Sequence, residues 1–181
     1  MAKMIVVHEE RCLACKTCVV QCALVHSDAR DLAEAVRMTV PPQARIHVEP
    51  VGECAMPLQC RHCEDAPCVI VCPTQAIYRY DQAGPVLLDG ARCIGCKFCL
   101  LACPFGVIDL TRDGKAAVKC DLCAARAGAA GEPACVASCP TGALEFVEAD
   151  DFLRRRRRQA AEHLAEVGRR GKVIAEGGND R

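Results

Sequence analysis

Sixteen of the seventeen cysteines in this 181-residue chain fall into four closely spaced quartets. The first and third share the spacing C-x2-C-x2-C-x3-C. The second has two extra residues before its third cysteine, and the fourth has eleven residues between its second and third. In chain order the quartets are Cys12, Cys15, Cys18 and Cys22; Cys60, Cys63, Cys68 and Cys72; Cys93, Cys96, Cys99 and Cys103; and Cys120, Cys123, Cys135 and Cys139. Proline follows the last cysteine of the second, third and fourth quartets.

This spacing, with proline after the last cysteine, is the run that binds [4Fe-4S] clusters in bacterial ferredoxins. Four quartets therefore predict four [4Fe-4S] clusters. In such proteins the first three cysteines of a motif hold one cluster and the fourth binds the neighbouring cluster, so that motifs work in pairs. Two pairings are open: first with second and third with fourth, or first with fourth around second with third. The spacing does not choose between them.

The composition offers little material for an ordinary core, since the chain has two Tyr, four Phe and no Trp. Clusters can organise such a chain because each thiolate bond tethers a distant point of the backbone. We therefore expect the chain without iron to be largely unfolded. Sixteen ligating thiolates and four cores of about +2 give a net charge of about −8. We expect some motif cations to offset this charge and others to be ordinary solvated residues: Arg11, Lys16, Arg61, Arg92, Lys97 and Lys119.

The N-terminal stretch predicts a cytoplasmic protein. Residues 1–10 contain a four-residue apolar run and then acidic side chains, which does not match a secretory signal. Thiols stay reduced in the cytoplasm. Without an apolar stretch of about 20 residues, membrane attachment is expected only indirectly, through a partner.

A repeated step of ligand, proline, turn and strand follows three of the quartets, and it predicts duplicated units. Residues 76–89 and 107–118 read as β-hairpins, and residues 4–7 and 143–147 as further strands. The predicted fold class is α+β, with two pseudo-symmetric dicluster modules built on short β-hairpins, plus a C-terminal helix.

Two segments are not needed for cluster binding. Between Ser27 and Gln59 we expect a helix over residues 28–38. We expect Cys54 to be a buried small apolar side chain, and a role as a fifth ligand or at an interface is the alternative. Residues 150–167 predict a helix that ends at Gly168, followed by a disordered tail over residues 176–181. In this helix, the run Arg154 to Arg158 either binds an acidic partner or extends from the apolar face of the helix into solvent.

The four quartets resemble those of the four-cluster ferredoxin-like electron-transfer subunits. This resemblance covers residues 4–148. Its motifs are Gln59-Cys-Arg-His-Cys-Glu-Asp-Ala-Pro-Cys, Cys93-Ile-Gly-Cys, Cys103-Pro-Phe-Gly, Lys119-Cys-Asp-Leu-Cys and Pro133-Ala-Cys. The family serves hydrogenase-linked and molybdenum formate dehydrogenases, dimethyl-sulfoxide-reductase-type enzymes and tungsten aldehyde oxidoreductases.

A closer likeness lies around the insertion. Cys22-Ala-Leu-Val-His-Ser, the Asp-Leu-x-Glu-Ala element at 31–35 and Arg45-Ile-His-Val-Glu look like the ferredoxin-like subunit of nickel carbon monoxide dehydrogenase. The implied function is conduction of electrons between a catalytic redox subunit and an acceptor such as a hydrogenase. A formate dehydrogenase, aldehyde oxidoreductase or other molybdopterin enzyme is the alternative partner.

The resemblance also implies the nested pairing and four ligand sets. These are Cys12, Cys15, Cys18 and Cys139 for cluster 1; Cys22, Cys120, Cys123 and Cys135 for cluster 2; Cys60, Cys63, Cys68 and Cys103 for cluster 3; and Cys72, Cys93, Cys96 and Cys99 for cluster 4. The implied four-cluster domain is 1–149, with an outer module of 1–26 and 119–149, an inner module of 57–118 and an insertion of 27–56. Residues 150–181 would form the arginine-rich helix and tail.

The sequence leaves two other hypotheses on function open. A zinc-binding interaction or nucleic-acid module would also use C-x2-C pairs, but it does not require the following cysteines or Cys-Pro. A free polyferredoxin would have no obligate partner. We expect no nucleic-acid partner, because the basic run is confined to one helix. We expect no catalytic residue, because a fully cysteine-ligated cubane has no open iron site. The five histidines also lack ligand spacing relative to one another.

Iron content distinguishes the iron–sulfur hypothesis from the zinc hypothesis. We expect anaerobically purified protein to be brown and to contain about sixteen irons per chain, as four cubanes require. Metal analysis and visible absorbance measure this directly. A colourless protein that holds zinc and little iron would contradict the prediction.

Overall fold

The computed structural model describes residues 3–124 and 131–176, with side chains described as far as Arg169. A one-turn 3-10 helix lies at Glu9–Arg11. The α-helices are α1 Thr17–Val25, α2 Leu32–Arg37, α3 Pro67–Ile70, α4 Phe98–Ala102, α5 Ala134–Ala137 and α6 Ala149–Glu176. The strands are β1 Lys3–Val7, β2 Ile46–Val51, β3 Cys54–Gln59, β4 Ile77–Arg79, β5 Val86–Leu88, β6 Ile108–Leu110, β7 Ala117–Lys119 and β8 Leu144–Glu148. This mixture of helices and strands is α+β, as expected.

The strands pair into four separate two-stranded antiparallel sheets: β1 with β8, β2 with β3, β4 with β5, and β6 with β7. In the first of these sheets Ile5 lies opposite Phe146, so the beginning of the chain is joined to its later part. The predicted hairpins over 76–89 and 107–118 and the predicted strands over 4–7 and 143–147 are confirmed. An isolated two-stranded sheet is marginal in water, so each sheet depends on what it packs against.

Cysteine side chains form a large part of two hydrophobic cores. The first core combines Ile5, Ile46 and Leu144 with buried cysteines from both ends of the motif series. Those cysteines are Cys18, Cys22, Cys120 and Cys135. The second core lies in the middle of the chain and packs Ile77, Val86 and Ile108 around Cys68 and Cys99.

The turns around the cysteines repeat the same backbone geometry. In each quartet the residue just before the second cysteine has a positive φ: Ala14 54°, His62 50°, Gly95 67° and Leu122 55°. In each of the three Cys-Pro steps, the third residue after the cysteine does too: Gln75 52°, Gly106 62° and Gly142 63°. Left-handed backbone costs a non-glycine residue about 1–2 kcal/mol, so each loop needs a compensating constraint.

The insertion differs from its prediction in three ways. Its helix α2 is shorter than 28–38, because Asp31 caps it by accepting a hydrogen bond from the Glu34 amide at 2.8 Å. A hairpin of β2 and β3 was not predicted, and it turns at Gly52, whose φ is +59°. The prediction that Cys54 is buried is wrong: Cys54 begins β3 at this turn and is exposed.

Helix α6 is longer than predicted. Asp150 and Asp151 lie in its first turn as expected, but the helix passes through Gly168 and continues to Glu176. A single glycine in an exposed helix costs only about 1 kcal/mol relative to alanine, and no proline follows to end the helix. Leu153, Leu164 and Val167 are exposed along α6. Most of the predicted disordered tail lies outside the described residues.

Gly95 and Gly106 test the loop geometry as a matched pair. Both have a positive φ, but a Cβ at Gly95 would lie 2.5 Å from the Lys115 carbonyl oxygen, whereas nothing lies within 4 Å of one at Gly106. We expect Gly106→Ala to cost about 1–2 kcal/mol and Gly95→Ala clearly more. Urea titration of the cluster absorbance, under anaerobic conditions, measures both. Equal midpoints for the two variants would contradict the crowding at Gly95.

Candidate functional site

Eight cysteines of the middle of the chain line two cavities, four to each. One cavity is lined by Cys60, Cys63, Cys68 and Cys103. The other is lined by Cys72, Cys93, Cys96 and Cys99. Each group therefore contains three cysteines of one motif and the last cysteine of the other, as two interlocked motifs require.

The remaining eight quartet cysteines approach one another in the same manner. Burial raises the pKa of the Cys18 thiol to about 11, and the charges of neighbouring thiolates add to it: those of Cys139, Cys15 and Cys12. Burial likewise raises the pKa of the Cys135 thiol, with additions from Cys120, Cys22, Cys123 and Cys18. Thiols at opposite ends of the chain thus lie close enough to affect each other's ionisation.

Backbone amides and hydroxyl groups approach several of these sulfur atoms. The amides of His62 and Leu122, both at left-handed positions, donate to Cys60 Sγ at 3.4 Å and Cys120 Sγ at 3.4 Å. The Ala117 amide donates to Cys93 Sγ at 3.3 Å. The left-handed turn thus directs an N–H at the preceding cysteine. Donors to a ligating sulfur stabilise its thiolate form and influence the potential of an iron–sulfur cluster.

Groups of four sulfur atoms in small cavities, with N–H donors around them, fit [4Fe-4S] cubanes, which are held by four thiolates. Burial raises the pKa of several of these thiols, which opposes formation of the thiolates in the metal-free chain. Metal binding must therefore displace protons, and this couples cluster assembly to the folding of these loops.

A charged network surrounds the group of Cys22 and Cys123. Asp121 accepts hydrogen bonds from Arg45 Nη1 at 2.6 Å and from His26 Nε2 at 3.0 Å. Although burial opposes ionisation, the bond from His26 and the charge of Arg45 hold the pKa of Asp121 well below its usual range.

His26 in this network is a cation at neutral pH. Burial lowers its pKa, but the hydrogen bonds to Asp121, Cys123 and Cys22 outweigh burial and raise it to about 11. Ligand atoms of His26, Asp121 and Cys123 lie within 4.8 Å of one another. No spacing in the sequence connects residues 26, 45 and 121, which meet only in the folded chain.

A second set of polar residues lies by the group of Cys60 and Cys63. His62 Nδ1 accepts a hydrogen bond from the Val86 amide at 3.0 Å, so its proton is on Nε2. Burial and the charges of Lys119 and Arg79 lower the pKa of His62 to about 3, so the ring is neutral. Arg79 donates to the carbonyl oxygens of His62 and Cys63 and thereby holds this loop.

Each of the four groups lies near the next. Burial raises the pKa of the Cys135 and Cys120 thiols, and the charges of Cys18 and Cys60, respectively, raise it further. The two cavities of the middle region share one hydrophobic core, which includes Cys68 and Cys99. The order is therefore a row: the Cys12 group, the Cys22 group, the Cys60 group and the Cys72 group.

Exposed side chains lie at the two ends of this row. The second cysteine of the first motif, Cys15, and the second cysteine of the third motif, Cys96, are exposed. The preceding apolar residues Leu13 and Ile94 are also largely exposed, at 71% and 66%. Cys120 and Cys135, in the interior of the row, are buried.

Within the described residues, no helix is both long and apolar enough to cross a membrane.

Comparison with known proteins identifies two iron–sulfur regions. Residues 52–149 match the "4Fe-4S dicluster domain" family, and residues 9–25 match a "4Fe-4S binding domain" family. Both matches are to [4Fe-4S] proteins, so they support multiple [4Fe-4S] clusters and argue against the zinc alternative.

Several relatives match over most of their length. An "Iron-sulfur protein" of Rhodospirillum rubrum is 38% identical, and the alignment covers 94% of this chain and 95% of the relative. The "Electron transport protein HydN" of Escherichia coli (strain K12) is 38% identical over 82% and 89%. The "Thiosulfate reductase electron transfer subunit PhsB" of Salmonella typhi is 43% identical over 79% and 74%. Proteins with electron-transfer names are thus similar to this chain over about four fifths of its length.

The Arg45, Asp121 and His26 network is expected to stabilise the loaded protein. Asp121→Asn removes the charge that faces two cations, one of them almost fully buried, and should cost about 2 kcal/mol. Asp109→Asn is the matched control, because Asp109 forms a more exposed pair with His47 at 3.3 Å and should cost below about 1 kcal/mol. Urea titration of the cluster absorbance compares them. Equal midpoints would show that the network contributes no extra stability.

Proposed function

Because the chain belongs to the 4Fe-4S dicluster domain family, we propose that it is an electron-transfer subunit whose four [4Fe-4S] clusters conduct electrons between a catalytic redox subunit and a second acceptor. An iron–sulfur electron-transfer role follows from the family and from relatives named for that role. The number of clusters and the identity of both partners are the proposed part.

The row of four cysteine groups is the observation that carries this proposal. A store of separate metal sites would not need neighbouring groups in contact, whereas electron conduction requires each centre to lie beside the next. Cys135 beside Cys18 and Cys120 beside Cys60 support the first two contacts, and the shared second core supports the third. Two pseudo-symmetric modules, each holding two clusters, account for the repeated turns.

The proposed ligand sets follow these groups. They are Cys12, Cys15, Cys18 and Cys139; Cys22, Cys120, Cys123 and Cys135; Cys60, Cys63, Cys68 and Cys103; and Cys72, Cys93, Cys96 and Cys99. When bound, the clusters supply one-electron carriers. The chain holds them in order, donates hydrogen bonds to their sulfur ligands and excludes water from the central ones. With every iron ligated by cysteine, the subunit has no substrate site of its own.

The exposed ends of the row are the proposed points of electron entry and exit. At one end Leu13 and Cys15 are exposed, and at the other Ile94, Cys96 and Leu101 are exposed. A redox partner that covers either apolar end would bring its own centre close to a cluster and would exclude water from the contact.

We propose a carbon monoxide dehydrogenase as the catalytic partner and a hydrogenase as an acceptor. The support is the likeness of residues 22–27, 31–35 and 45–49 to the subunit of that enzyme. A molybdopterin enzyme is the second candidate. One relative is named as the electron transfer subunit of a further redox enzyme, thiosulfate reductase. The seventeen cysteines are all free, which suits a reducing compartment such as the cytoplasm.

Replacement of Cys139 tests the nested ligand sets. We expect Cys139→Ser to remove the cluster held by Cys12, Cys15 and Cys18, because the fourth ligand of that cluster would be lost. Cys103→Ser is the matched variant, and it should remove the cluster of Cys60, Cys63 and Cys68. Cluster-resolved EPR of the reduced proteins, with iron counts, measures the losses. Loss of the cluster of Cys93, Cys96 and Cys99 in Cys139→Ser would indicate the local pairing instead.

Anaerobic co-purification tests the partners. We expect the full chain to retain a catalytic redox enzyme, and we expect deletion of residues 150–181 to weaken this complex, because the arginines of α6 are exposed. The charge contribution is isolated by Arg156→Glu with Arg157→Glu, since neither side chain has an ion pair among the described residues. Unchanged co-purification in both variants would remove α6 from the interface, and recovery of the chain with no redox enzyme would contradict the proposed role.

A further inference from the structure

Lys119 is a buried charged residue that has no carboxylate partner in the described part of the chain. Its exposed fraction is 3%, and the other buried polar side chain there is the neutral Gln59. A buried ammonium group costs several kcal/mol unless nearby negative charge or hydrogen bonds compensate it. The position of Lys119 at the end of β7, directly before Cys120, therefore needs a physical reason.

The protein itself provides only part of that compensation. Lys119 Nζ donates to the carbonyl oxygens of Cys120 at 2.6 Å and Val86 at 2.5 Å. Among the ion pairs of residues 3–124 and 131–176, none involves Lys119. Two carbonyl dipoles thus face a full positive charge, and no carboxylate neutralises it.

The two carbonyl groups belong to the two central cysteine groups of the row. Cys120 is a member of the group that includes Cys22 and Cys135. Val86 lines the cavity of Cys60, Cys63, Cys68 and Cys103. Lys119 therefore lies at the junction of the two modules, with one group of sulfur atoms on each side. Its charge acts on both: burial raises the pKa of the Cys68 thiol on one side and of the Cys120 thiol on the other, and the charge of Lys119 opposes both increases.

Clusters at these two places would supply the missing negative charge. A cubane core of about +2 with four thiolates carries about −2, and one added electron makes it about −3. A single cation between two such anions stabilises the reduced form of each more than the oxidised form, and burial strengthens this interaction. The step involves one electron, and no covalent bond forms or breaks.

We propose that Lys119 sets the potentials of the two central clusters. It raises the reduction potential of the Cys22 and Cys60 clusters relative to the same clusters without it, and it keeps the crossing between the two modules favourable for electron transfer. This inference rests on the proposed function, because it uses the nested ligand sets.

The other cations near these groups are less suited to this role. Arg45 and His26 both face Asp121, whose negative charge offsets part of theirs. Arg79 is only partly buried, so water screens its charge. Lys119 combines burial, the lack of a carboxylate partner and contact with both modules.

The test is an anaerobic potentiometric titration followed by EPR, on the full chain. Lys119→Gln keeps hydrogen-bond donors for the two carbonyl groups and removes the charge, whereas Lys119→Arg keeps the charge. Lys115→Gln is the control, because it removes an equal charge from an exposed side chain paired with Asp113. The two end clusters are identified by repeating the titration in Cys139→Ser and in Cys96→Ser, which lack the first and the last cluster of the row, so the two remaining clusters are the central ones.

We expect Lys119→Gln to disfavour reduction of both central clusters by about tenfold, equivalent to about 59 mV for a one-electron couple. The two end clusters should shift by less than half as much. In Lys119→Arg and in Lys115→Gln, the reduction equilibria of the central clusters should remain within twofold of those of the unmodified protein. A Lys119→Gln protein that keeps all its iron and shows unchanged central potentials, or equal shifts in all four clusters, would overturn the inference.

Two further outcomes are decided by the same samples. If Lys119→Gln does not retain its clusters, Lys119→Arg becomes the deciding variant. If Lys119→Arg assembles fully and the reduction equilibria of its central clusters stay within twofold of those of the unmodified protein, the charge of residue 119 is responsible. If Lys119→Arg fails to assemble, the inference is overturned, because the shape of the side chain is then what matters. The iron count of the unmodified protein tests the proposed function separately from the role of Lys119. A count inconsistent with four clusters would contradict the proposed function, and the effect of Lys119 on the potentials of the remaining clusters could still be measured.

Discussion

The close approach of cysteine sulfur atoms from distant parts of the chain is the constraint on which the rest of the structure depends. Both hydrophobic cores contain these sulfurs among a few aliphatic side chains, and the aromatic residues contribute little. Helices α3, α4 and α5 have four or five residues, and six of the eight strands pair only within their own hairpin. Elements of this size are not stable alone. Ligation by clusters provides the cross-links that hold them, and the strained left-handed turns are compensated in the same way.

Charge is distributed around the sulfur groups in two different ways. At the Cys22 group, two cations surround one carboxylate, which leaves the surroundings positive by about one charge. At the junction of the modules a single ammonium group is buried among carbonyl groups. The neutral ring of His62 adds no charge there. Neighbouring clusters in one chain can thus differ in potential although their four cysteine ligands are identical.

The local features of the fold could be predicted from the sequence, because they depend on short-range patterns. The hairpins after the Cys-Pro steps and the strands at 4–7 and 143–147 followed from short β-type runs, most of them next to turn residues. The β2 and β3 hairpin was missed, although its turn at Gly52 was visible, because Pro50 and Pro57 interrupt both strands. The contacts of Asp121 with Arg45 and His26, and of Lys119 with Val86, could not be predicted, since they join residues 33–95 positions apart.

The pairing of β1 with β8 also has a consequence for the order in which the protein is made. Synthesis proceeds from the N-terminus, so the second core, which uses residues between Ala66 and Ala117, is complete while the later part of the chain is still on the ribosome. The first core must wait for Leu144, and the strand of Ile5 stays without its partner until then. The first cysteine motif to leave the ribosome is therefore among the last to be enclosed.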